Sequence, residues 1–477
     1  MNAPDRRDFC RALAALPALA LVPAARGQSR ADPLMGSLMG CPPGPLPASS
    51  MERRRGPLDA REQAMARVCW KYFENNTQPS GLANAVDNYP STTLWDTASY
   101  MAALLSVREF AIVTPQEVDR RMAAVLAALE RLELFRGELP NKVYHAQTLA
   151  KVDYTNKPGE VGFSAIDIGR MLIWLRIVKE RLPQFADAVD RVVLRWNFDR
   201  VIDRSGMMFG ALIDKDGKTQ YVQEGRLGYE EYAARGFELW GFVTELAARA
   251  EPYATAPIYC VQVPYDARDP RKYQQHNYVV TESYALDGIE FGWDRTFERG
   301  PQRGRATHPW MKEFADRVYQ AQENRFAATG ILTARSEHQL DVEPYFVYDT
   351  VFSDGYAWNT ITDTGRHVPQ FAAIALKAAL GMWALWKSPY TELLFDTIAQ
   401  RFEPDRGYYE GILENGKGPI KAFTANNNGI MLETLLFKQQ GPLLQWGPER
   451  QGLWERRTQP YGPDARTRPN ASPGQPR

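Results

Sequence analysis

Carboxylates, tyrosines and arginines collect in the stretch Glu224–Trp240, directly before and inside the start of a predicted helix. The charged residues and tyrosines of this stretch are Glu224, Arg226, Tyr229, Glu230, Glu231, Tyr232, Arg235 and Glu238. The rest of that helix is almost wholly apolar, and an unpaired charge is costly to bury, so we expect these charges to be used. We interpret the stretch as one wall of a binding cleft, with Glu230 as a candidate catalytic carboxylate.

Four other places in the chain mix Trp or Tyr with Asp, Glu or Asn in the same way. Aromatic faces stack on the C–H face of a sugar ring, and carboxylates and amides hydrogen-bond its hydroxyls. Cleaving a glycosidic bond needs two carboxyl groups, and we predict Asp96 and Glu410 as partners of Glu230. The predicted substrate-binding residues are Trp95, Asn141, Tyr144, Asp167, Arg170, Glu224, Arg226, Tyr229, Tyr348, Asp349, Asp354, Trp358, Asn426 and Asn428.

Several of these residues also have a purely structural interpretation, and the sequence leaves both open. Asp96 and Asp167 stand near predicted helix starts, where a carboxylate caps the helix or offsets its dipole. Trp95 and Trp358 are also compatible with the core. Glu224 is also compatible with a structural ion pair to an arginine.

Ten predicted helices position these residues, and they are of two alternating kinds. The amphipathic ones cover about 58–75, 114–134, 183–196, 309–326 and 389–402, and the apolar ones about 95–110, 165–178, 230–248, 371–386 and 426–437. A helix that is apolar all round is buried on every side, whereas an amphipathic helix has a wet face. Strict alternation of outer and inner helices predicts an all-α, double-layered helical toroid of the (α/α)6 type.

The pattern yields five helix pairs where a closed toroid of this type usually has six. We expect the sixth within 251–305 or near 441–454. The connections from outer to inner helices are long, at 135–164, 197–229, 328–368 and 403–424. Long ordered loops commonly carry function, so we expect the site at their end of the toroid, with short β-hairpins such as 207–222.

Both ends of the chain lie outside the predicted toroid. Arg6 and Arg7 precede an apolar run at 12–25 that is too short to span a bilayer, which indicates a twin-arginine-type signal peptide over 1–27. A Pro/Gly-rich tether follows at 28–55, the toroid occupies 56–455, and 456–477 is predicted to be a disordered tail. We therefore expect a periplasmic or secreted protein without an integral membrane segment in the mature chain.

Composition narrows the classes of partner. The 57 basic and 57 acidic residues balance, and the core has no basic runs, which argues against nucleic acid. No metal-binding or cofactor motif is present, so we expect no metal, no cofactor and a monomer that binds a poly- or oligosaccharide. Cys69 and Cys260 are compatible with a disulfide in an oxidising compartment or with two buried thiols.

Seven runs of this sequence resemble a family of exported bacterial proteins long classed as a domain of unknown function: Tyr72–Asn76, Gly81–Leu82, Thr93–Asp96, Leu139–Asn141, Asp167–Arg170, Glu224–Glu230 and Thr424–Asn428. That family is similar to the glucoamylase-like six-hairpin glycosidases, which include bacterial endo-β-1,2-glucanases. The resemblance implies a toroid of six hairpins. It also implies that a Glu at an inner-helix start is the catalytic acid, which points to Glu230.

Three functions fit these observations. The first is an exported glycoside hydrolase or transglycosylase that acts on a β-glucan or another exopolysaccharide through paired carboxylates. The second is a polysaccharide lyase that uses Tyr144 or Tyr229 as its base. In that alternative Asn141, Arg170 or Arg226 would neutralise a uronate. The third is a non-catalytic envelope protein that binds glycans.

Overall fold

Helices dominate the part of the chain that the structure, a computed structural model, describes: residues 52–273, 275–293, 310–448 and 452–458. In chain order the α-helices there are α1 Ala60–Asn76, α2 Leu94–Glu109, α3 Pro115–Arg131, α4 Ala165–Arg181, α5 Ala186–Leu194, α6 Tyr229–Glu238, α7 Pro270–Tyr273, α8 Thr281–Glu290, α9 Met311–Thr329, α10 Leu376–Leu385, α11 Pro389–Ile398, α12 Ala425–Gln440 and α13 Leu453–Thr458. None of these helices is both long and apolar enough to cross a membrane.

Six of these helices are buried on nearly all faces and contact one another in a closed cycle, in the order α2, α4, α6, α8, α10, α12 and back to α2. Glycines let neighbours approach closely. A Cβ on Gly236 of α6 would lie 2.0 Å from the carbonyl oxygen of Gly169 in α4. A Cβ on Gly429 of α12 would lie 2.7 Å from the carbonyl oxygen of Ser99 in α2.

Amphipathic helices pack on the outside of this cycle. Helix α1 contacts α2 and α12, α3 contacts α2, α5 contacts α4, α9 contacts α8 and α10 is covered by α11. Their exposed faces carry the charges that the sequence pattern predicted.

The segment 251–305 contains the sixth inner helix, α8, but no outer helix among its described residues. A β-hairpin stands before α8 instead, formed by β7 Tyr253–Ile258 and β8 Val261–Asp266, and β8 contacts α9. The sequence pattern missed α8 because it has only ten residues and carries Glu282, Asp287 and Glu290 in its buried length.

Short antiparallel strands fill the long connections. They are β1 Ser91–Thr92, β2 Leu134–Phe135, β3 Leu139–Pro140, β4 Tyr144–His145, β5 Phe209–Ile213, β6 Thr219–Gln223, β9 His338–Gln339, β10 Phe346–Asp349, β11 Phe352–Ser353, β12 Tyr356–Ala357, β13 Thr360–Ile361, β14 Ala373–Ala375, β15 Phe402–Glu403, β16 Gly407–Tyr408, β17 Gly411–Leu413 and β18 Pro419–Ile420. The hairpin predicted at 207–222 is present as β5 paired with β6. Helix α6 ends at Glu238, earlier than the predicted 248, and Gly241 follows in a left-handed conformation (φ 89°).

The predicted signal peptide, 1–27, lies outside the described residues. The end of the predicted tether packs on the helices, because the Arg54 backbone N–H donates to the Ala384 carbonyl at 2.9 Å and its guanidinium pairs with Glu392 at 2.7 Å. The described start of the predicted tail is part of α13.

The two core cysteines do not pair with each other. Cys69 is a free, buried thiol on α1, whereas Cys260 is disulfide-bonded in the turn between β7 and β8. Of the two possibilities that the sequence left open, the Cys69–Cys260 disulfide is therefore absent, and the buried thiol holds for Cys69.

Candidate active site

A cleft of about 1320 Å³ opens where inner helices begin and the long connections meet. The predicted site residues that line it are Trp95, Asp96, Asp167, Glu224, Tyr229, Tyr348, Asp354, Glu410 and Asn426. They come from connections that are far apart in sequence, so the cyclic packing of the inner helices brings them together.

The first turns of α2 and α4 present carboxylates in the same way. At each start a hydroxyl caps the helix, Thr93 accepting from the Asp96 N–H and Ser164 from the Asp167 N–H, both at 3.1 Å. The Thr93 hydroxyl also donates to Asp96 Oδ2 at 2.7 Å. Asp96 and Asp167 are thus both helix-start residues and cleft residues, so the two interpretations of the sequence are compatible.

Asp167 has an unusual protonation equilibrium. Burial, followed by the nearby carboxylates of Glu224 and Asp96, raises its pKa to about 7, against the attraction of Lys142. Burial also raises the pKa of Asp96, although the Thr93 hydrogen bonds oppose that shift. Glu224 is held by the Ala165 N–H, which donates to its Oε2 at 2.5 Å. A carboxyl group that is partly protonated near neutral pH is suited to donate a proton to a leaving group.

A second group of carboxylates surrounds Lys377, in the first turn of α10. Lys377 forms an ion pair with Glu282, and its charge also attracts Glu337 and Glu410. Glu410 accepts hydrogen bonds from the Thr424 hydroxyl on Oε1 and from the Gln339 N–H, at 3.1 Å, on Oε2.

Glu337 is similarly engaged. The Tyr229 hydroxyl donates to its Oε1, and the Ser336 hydroxyl donates to its Oε2 at 2.9 Å. Burial raises the pKa of both Glu337 and Glu410, and Lys377 works against the shift.

Aromatic rings form a continuous strip along the cleft. The ring of Trp95 lies 5.6 Å from that of Tyr229, Tyr229 lies 6.0 Å from Tyr278, and Tyr278 stacks on Tyr348 at 4.8 Å. Asn426 orients Trp95 by accepting from its indole N–H at 3.0 Å. Such a strip offers apolar faces to successive sugar rings.

The structure places Glu230 outside the cleft. Its side chain is 2% exposed, Arg268 binds its Oε2 at 2.5 Å, and the Gln223 amide donates to its Oε1 at 3.0 Å. Burial raises the pKa of Glu230, with Arg268 opposing the shift. Arg268 lies on the connection between β8 and α7. The sequence does not reveal that this connection lies next to the start of α6.

Several other predicted substrate-binding residues do not line the cleft and make internal hydrogen bonds instead. Asn141 is buried, and its amide donates to the carbonyls of Val143 at 2.8 Å and Val152 at 3.3 Å. The Tyr144 hydroxyl accepts from the Asn141 N–H at 2.8 Å. Asn428 accepts from the Tyr408 N–H at 2.8 Å, which is a structural role.

Two charged residues that the sequence assigned to the substrate, Arg170 and Asp349, form internal ion pairs instead. Arg170 is fully buried and contacts Glu290 at 3.2 Å and Glu433 at 3.3 Å. Asp349 pairs with Arg335. Two more predicted substrate-binding residues, Arg226 and Trp358, do not line the cleft. The buried Arg226 guanidinium donates to the Gln223 side-chain oxygen at 2.7 Å. The Arg325 guanidinium lies over the Trp358 ring, 4.5 Å from its centroid.

The cleft also contains residues that the sequence pattern did not single out: Lys142, Tyr154, His276, Tyr278, Glu337, Asp363 and Lys377. Two of these residues, Lys142 and Glu337, could have been found from their neighbours in the sequence. Lys142 lies between two predicted site residues, Asn141 and Tyr144, and Glu337 stands in the polar run Ser336–Gln339 of a long connection. Lys377, by contrast, is a lysine in an apolar helix. Only the folded structure shows that carboxylates surround it.

No group of three or more metal-binding side chains occurs within the described ranges. His276 and Asp354 pair with each other instead, Nδ1 to Oδ2 at 2.5 Å.

Comparisons with known proteins identify the family of this chain and solved structures of similar fold. A family described as "Protein of unknown function (DUF3131)" matches residues 64–441, and no curated protein matches the sequence. The endo-β-1,2-glucanase of Chitinophaga pinensis, solved with sophorotriose and glucose, is similar in structure with a TM-score of 0.53 at 14% identity, over 81% of this chain and 94% of that one.

Two further solved structures have the same fold. A Bacteroides fragilis protein described provisionally as a glucoamylase gives a TM-score of 0.57 at 12% identity, covering 84% of this chain and 94% of its own. The endo-β-1,2-glucanase of Talaromyces funiculosus, as an E262Q mutant with β-1,2-glucan, gives 0.51 at 11% identity, covering 80% and 84%. At these identities the likeness establishes the fold.

Proposed function

The chain belongs to the DUF3131 family, whose function is unknown, and we propose that it is a glycoside hydrolase that cleaves a β-glucan. The observation that carries the proposal is the cleft, in which a carboxyl group with a pKa of about 7, Asp167, stands near the carboxylate of Asp96 beside an aromatic strip. The fold that it shares with β-1,2-glucanases supports the same conclusion.

The fold itself is proposed to be an (α/α)6 toroid with the hairpin-bearing connections at the cleft end. The cyclic contact of the six inner helices supports this architecture, with the β7–β8 hairpin standing where a sixth outer helix is expected.

Asp167 is the proposed proton donor and Asp96 the proposed base. The described residues engage only one carboxylate oxygen of each: Ser164 contacts Asp167 Oδ1 at 3.3 Å, and Thr93 donates to Asp96 Oδ2. Glu410, which the sequence suggested as a catalytic partner, has both oxygens engaged by internal hydrogen bonds, so it is less suited than Asp96 to activate water. The raised pKa of Asp167 keeps a proton available near neutral pH.

The lyase alternative has less support. Tyr229 lines the cleft, but Asn141, Arg170 and Arg226 do not, and they are buried in internal contacts. The carboxylates along the cleft would also repel a uronate.

The proposal is tested by the release of reducing ends from a panel of β-1,2-, β-1,3-, β-1,4- and mixed-linkage glucans. Asp167→Asn and Asp96→Asn are each expected to lower turnover by about 10²–10⁴-fold, as the loss of a general acid or base does. Asp216→Asn, in the exposed turn between β5 and β6, is the matched control. Absence of turnover on every glucan, or an active Asp167→Asn protein, refutes the proposal.

Twin-arginine export to the periplasm or the medium is also proposed, on the basis of Arg6, Arg7 and the apolar run 12–25. Replacing both arginines with lysine is expected to retain a reporter fused after residue 60 inside the cell. Unchanged export of that fusion would contradict this route.

A further inference from the structure

Lys142 is a buried cation in the cleft without a partner in the described part of the chain. It is 5% exposed and lines the cleft, and no hydrogen bond or ion pair of its Nζ is found there. Burial lowers its pKa, while the charges of Glu224 and Asp167 act to raise it. These two carboxylates are therefore close enough to act on Lys142, yet neither lies within ion-pair distance of it.

The backbone around Lys142 is held firmly. Its N–H donates to the Gly162 carbonyl at 2.8 Å. The buried side-chain amide of Asn141 donates to the carbonyls of Val143 and Val152. The Tyr144 hydroxyl donates to the Glu133 carbonyl at 2.7 Å. Asn141 and Tyr144, which the sequence suggested as ligands of the substrate, thus hold the connection between β3 and β4 from which Lys142 reaches the cleft.

The neighbouring carboxylates have acceptor capacity to spare. Glu224 is bound through Oε2 by the Ala165 N–H, and Asp167 through Oδ1 by Ser164. Their other oxygens accept no hydrogen bond from the described residues. Two open acceptors therefore stand near one open donor in a half-buried part of the cleft.

Tyrosine rings bound the same region. Burial raises the pKa of both Tyr154 and Tyr278, which line the cleft. Arg226 opposes the shift at Tyr278, and the charges of Glu224 and Asp167 add to the shift of both tyrosines. Tyr278 belongs to the aromatic strip and stacks on Tyr348. A sugar ring on this strip would have its hydroxyls beside Lys142 and the two carboxylates.

We propose that Lys142 and Glu224 form a subsite for two adjacent free hydroxyls of a neutral glucose unit, one accepting from the Lys142 ammonium and one donating to the Glu224 carboxylate, beside the proposed acid Asp167. This inference rests on the proposed function and names the part of the sugar that the enzyme recognises. A donor flanked by acceptors matches a vicinal diol, in which each hydroxyl both donates and accepts. A carboxylate or a bulky acyl substituent on that ring would be rejected.

The experiment is a calorimetric titration with glucose trisaccharides of β-1,2, β-1,3 and β-1,4 linkage. Lys142→Met removes the ammonium at nearly constant volume and is expected to weaken binding by about 10–100-fold, since a hydrogen bond to a charged group contributes about 1.5–3 kcal/mol. Lys157→Met, at an exposed position of the same connection, is the control. Lys142→Arg is expected to restore part of the affinity, and thermal unfolding shows whether each variant is folded.

Monodeoxy trisaccharides provide the second measurement. Removing the hydroxyl that contacts Lys142 is expected to weaken binding to the wild-type protein but to change binding to Lys142→Met little. Equal affinity of Lys142→Met and wild type, or failure of the wild type to bind any of the trisaccharides, overturns the inference. If Lys142→Met changes only the pH profile of turnover and not the trisaccharide affinity, the inference is also overturned, because Lys142 would then have a purely electrostatic role.

Binding and cleavage separate the two proposals. Hydrolysis with an unchanged KM in Lys142→Met refutes the subsite and leaves the hydrolase intact. Trisaccharide binding that depends on Lys142, without the release of reducing ends, refutes the hydrolase and leaves the subsite intact.

Discussion

Single residues of this protein show that a local charge pattern identifies a site without assigning its roles. Glu224, Tyr229 and Glu230 stand together in sequence, but Glu230 does not line the cleft and is paired with Arg268, which does. Asp167 was singled out only as a binding residue, and its pKa depends on Glu224 and Asp96 from other connections. Such shifts arise from burial and from charges that meet in space, which spacing along the chain does not encode.

The pH dependence of turnover is the first prediction. The proposed acid must be protonated, so kcat/KM is expected to be high below pH 7 and to fall about tenfold per pH unit above it, given the pKa of about 7 for Asp167. A kcat/KM profile from pH 4 to 9 on the best glucan checks this. A profile that stays flat up to pH 9 excludes Asp167 as the acid.

Glu230→Gln is the second prediction. We expect turnover to remain within about threefold of wild type, because Glu230 does not line the cleft, and we expect the unfolding free energy to fall by about 1–3 kcal/mol, because a buried charge-assisted bond to Arg268 is lost. Activity and urea unfolding are measured beside Asp167→Asn. A loss of turnover as large as that of Asp167→Asn would return Glu230 to the catalytic pair.

Helices of this protein were predictable where their burial pattern was strong. The alternation of apolar and amphipathic segments identified five of the six inner helices, including α2 with its Thr93 cap and α4 with its Ser164 cap. Helix α8 escaped because buried acids such as Glu290 meet arginine only in the folded protein. The β7–β8 hairpin was not predicted, because the alternating pattern was interpreted as placing only helices at outer positions.

The contact between α4 and α6 gives the third prediction. A methyl group on Gly236 would overlap the Gly169 carbonyl at 2.0 Å, so Gly236→Ala must push the two helices apart. We expect a loss of about 2–3 kcal/mol of unfolding free energy, which is typical of overpacking. Gly159→Ala, where a Cβ would lie 4.0 Å from its nearest neighbour, is the matched control in urea unfolding. Similar stability of the two variants would contradict this packing.

At the scale of the whole molecule, a buried ion cluster joins the inner helices. Arg170 of α4 meets Glu290 of α8 and Glu433 of α12, and Tyr232 of α6 donates to Glu290 at 2.7 Å. Burial raises the pKa of Glu433, with Arg170 opposing and Glu290 adding to the shift. The sequence predicted the inner ring, but it assigned Arg170 to the substrate because the carboxylate partners of Arg170 are more than a hundred residues away.

This cluster gives the fourth prediction. A carboxyl group whose folded pKa is raised contributes stability that is fully present below its unfolded pKa, near 4.3, and is lost as pH rises through the folded pKa. The unfolding temperature of the wild-type protein is therefore expected to fall between pH 5 and 9. Glu433→Gln is expected to flatten that fall, and the effect is about 1.4 kcal/mol per unit of pKa shift. An identical pH dependence of the variant would show that Glu433 does not titrate in this range.

The inner cycle closes between its first and last members. Helix α12 packs on both α1 and α2, the Gly56 N–H donates to the Lys438 carbonyl at 3.1 Å, and the Lys438 ammonium contacts Glu62 at 2.7 Å. During translation, the apolar face of α2 that α12 covers stays bare until residue 440 has left the ribosome. The ring of inner helices therefore cannot close before α12, which ends at Gln440, has been synthesised.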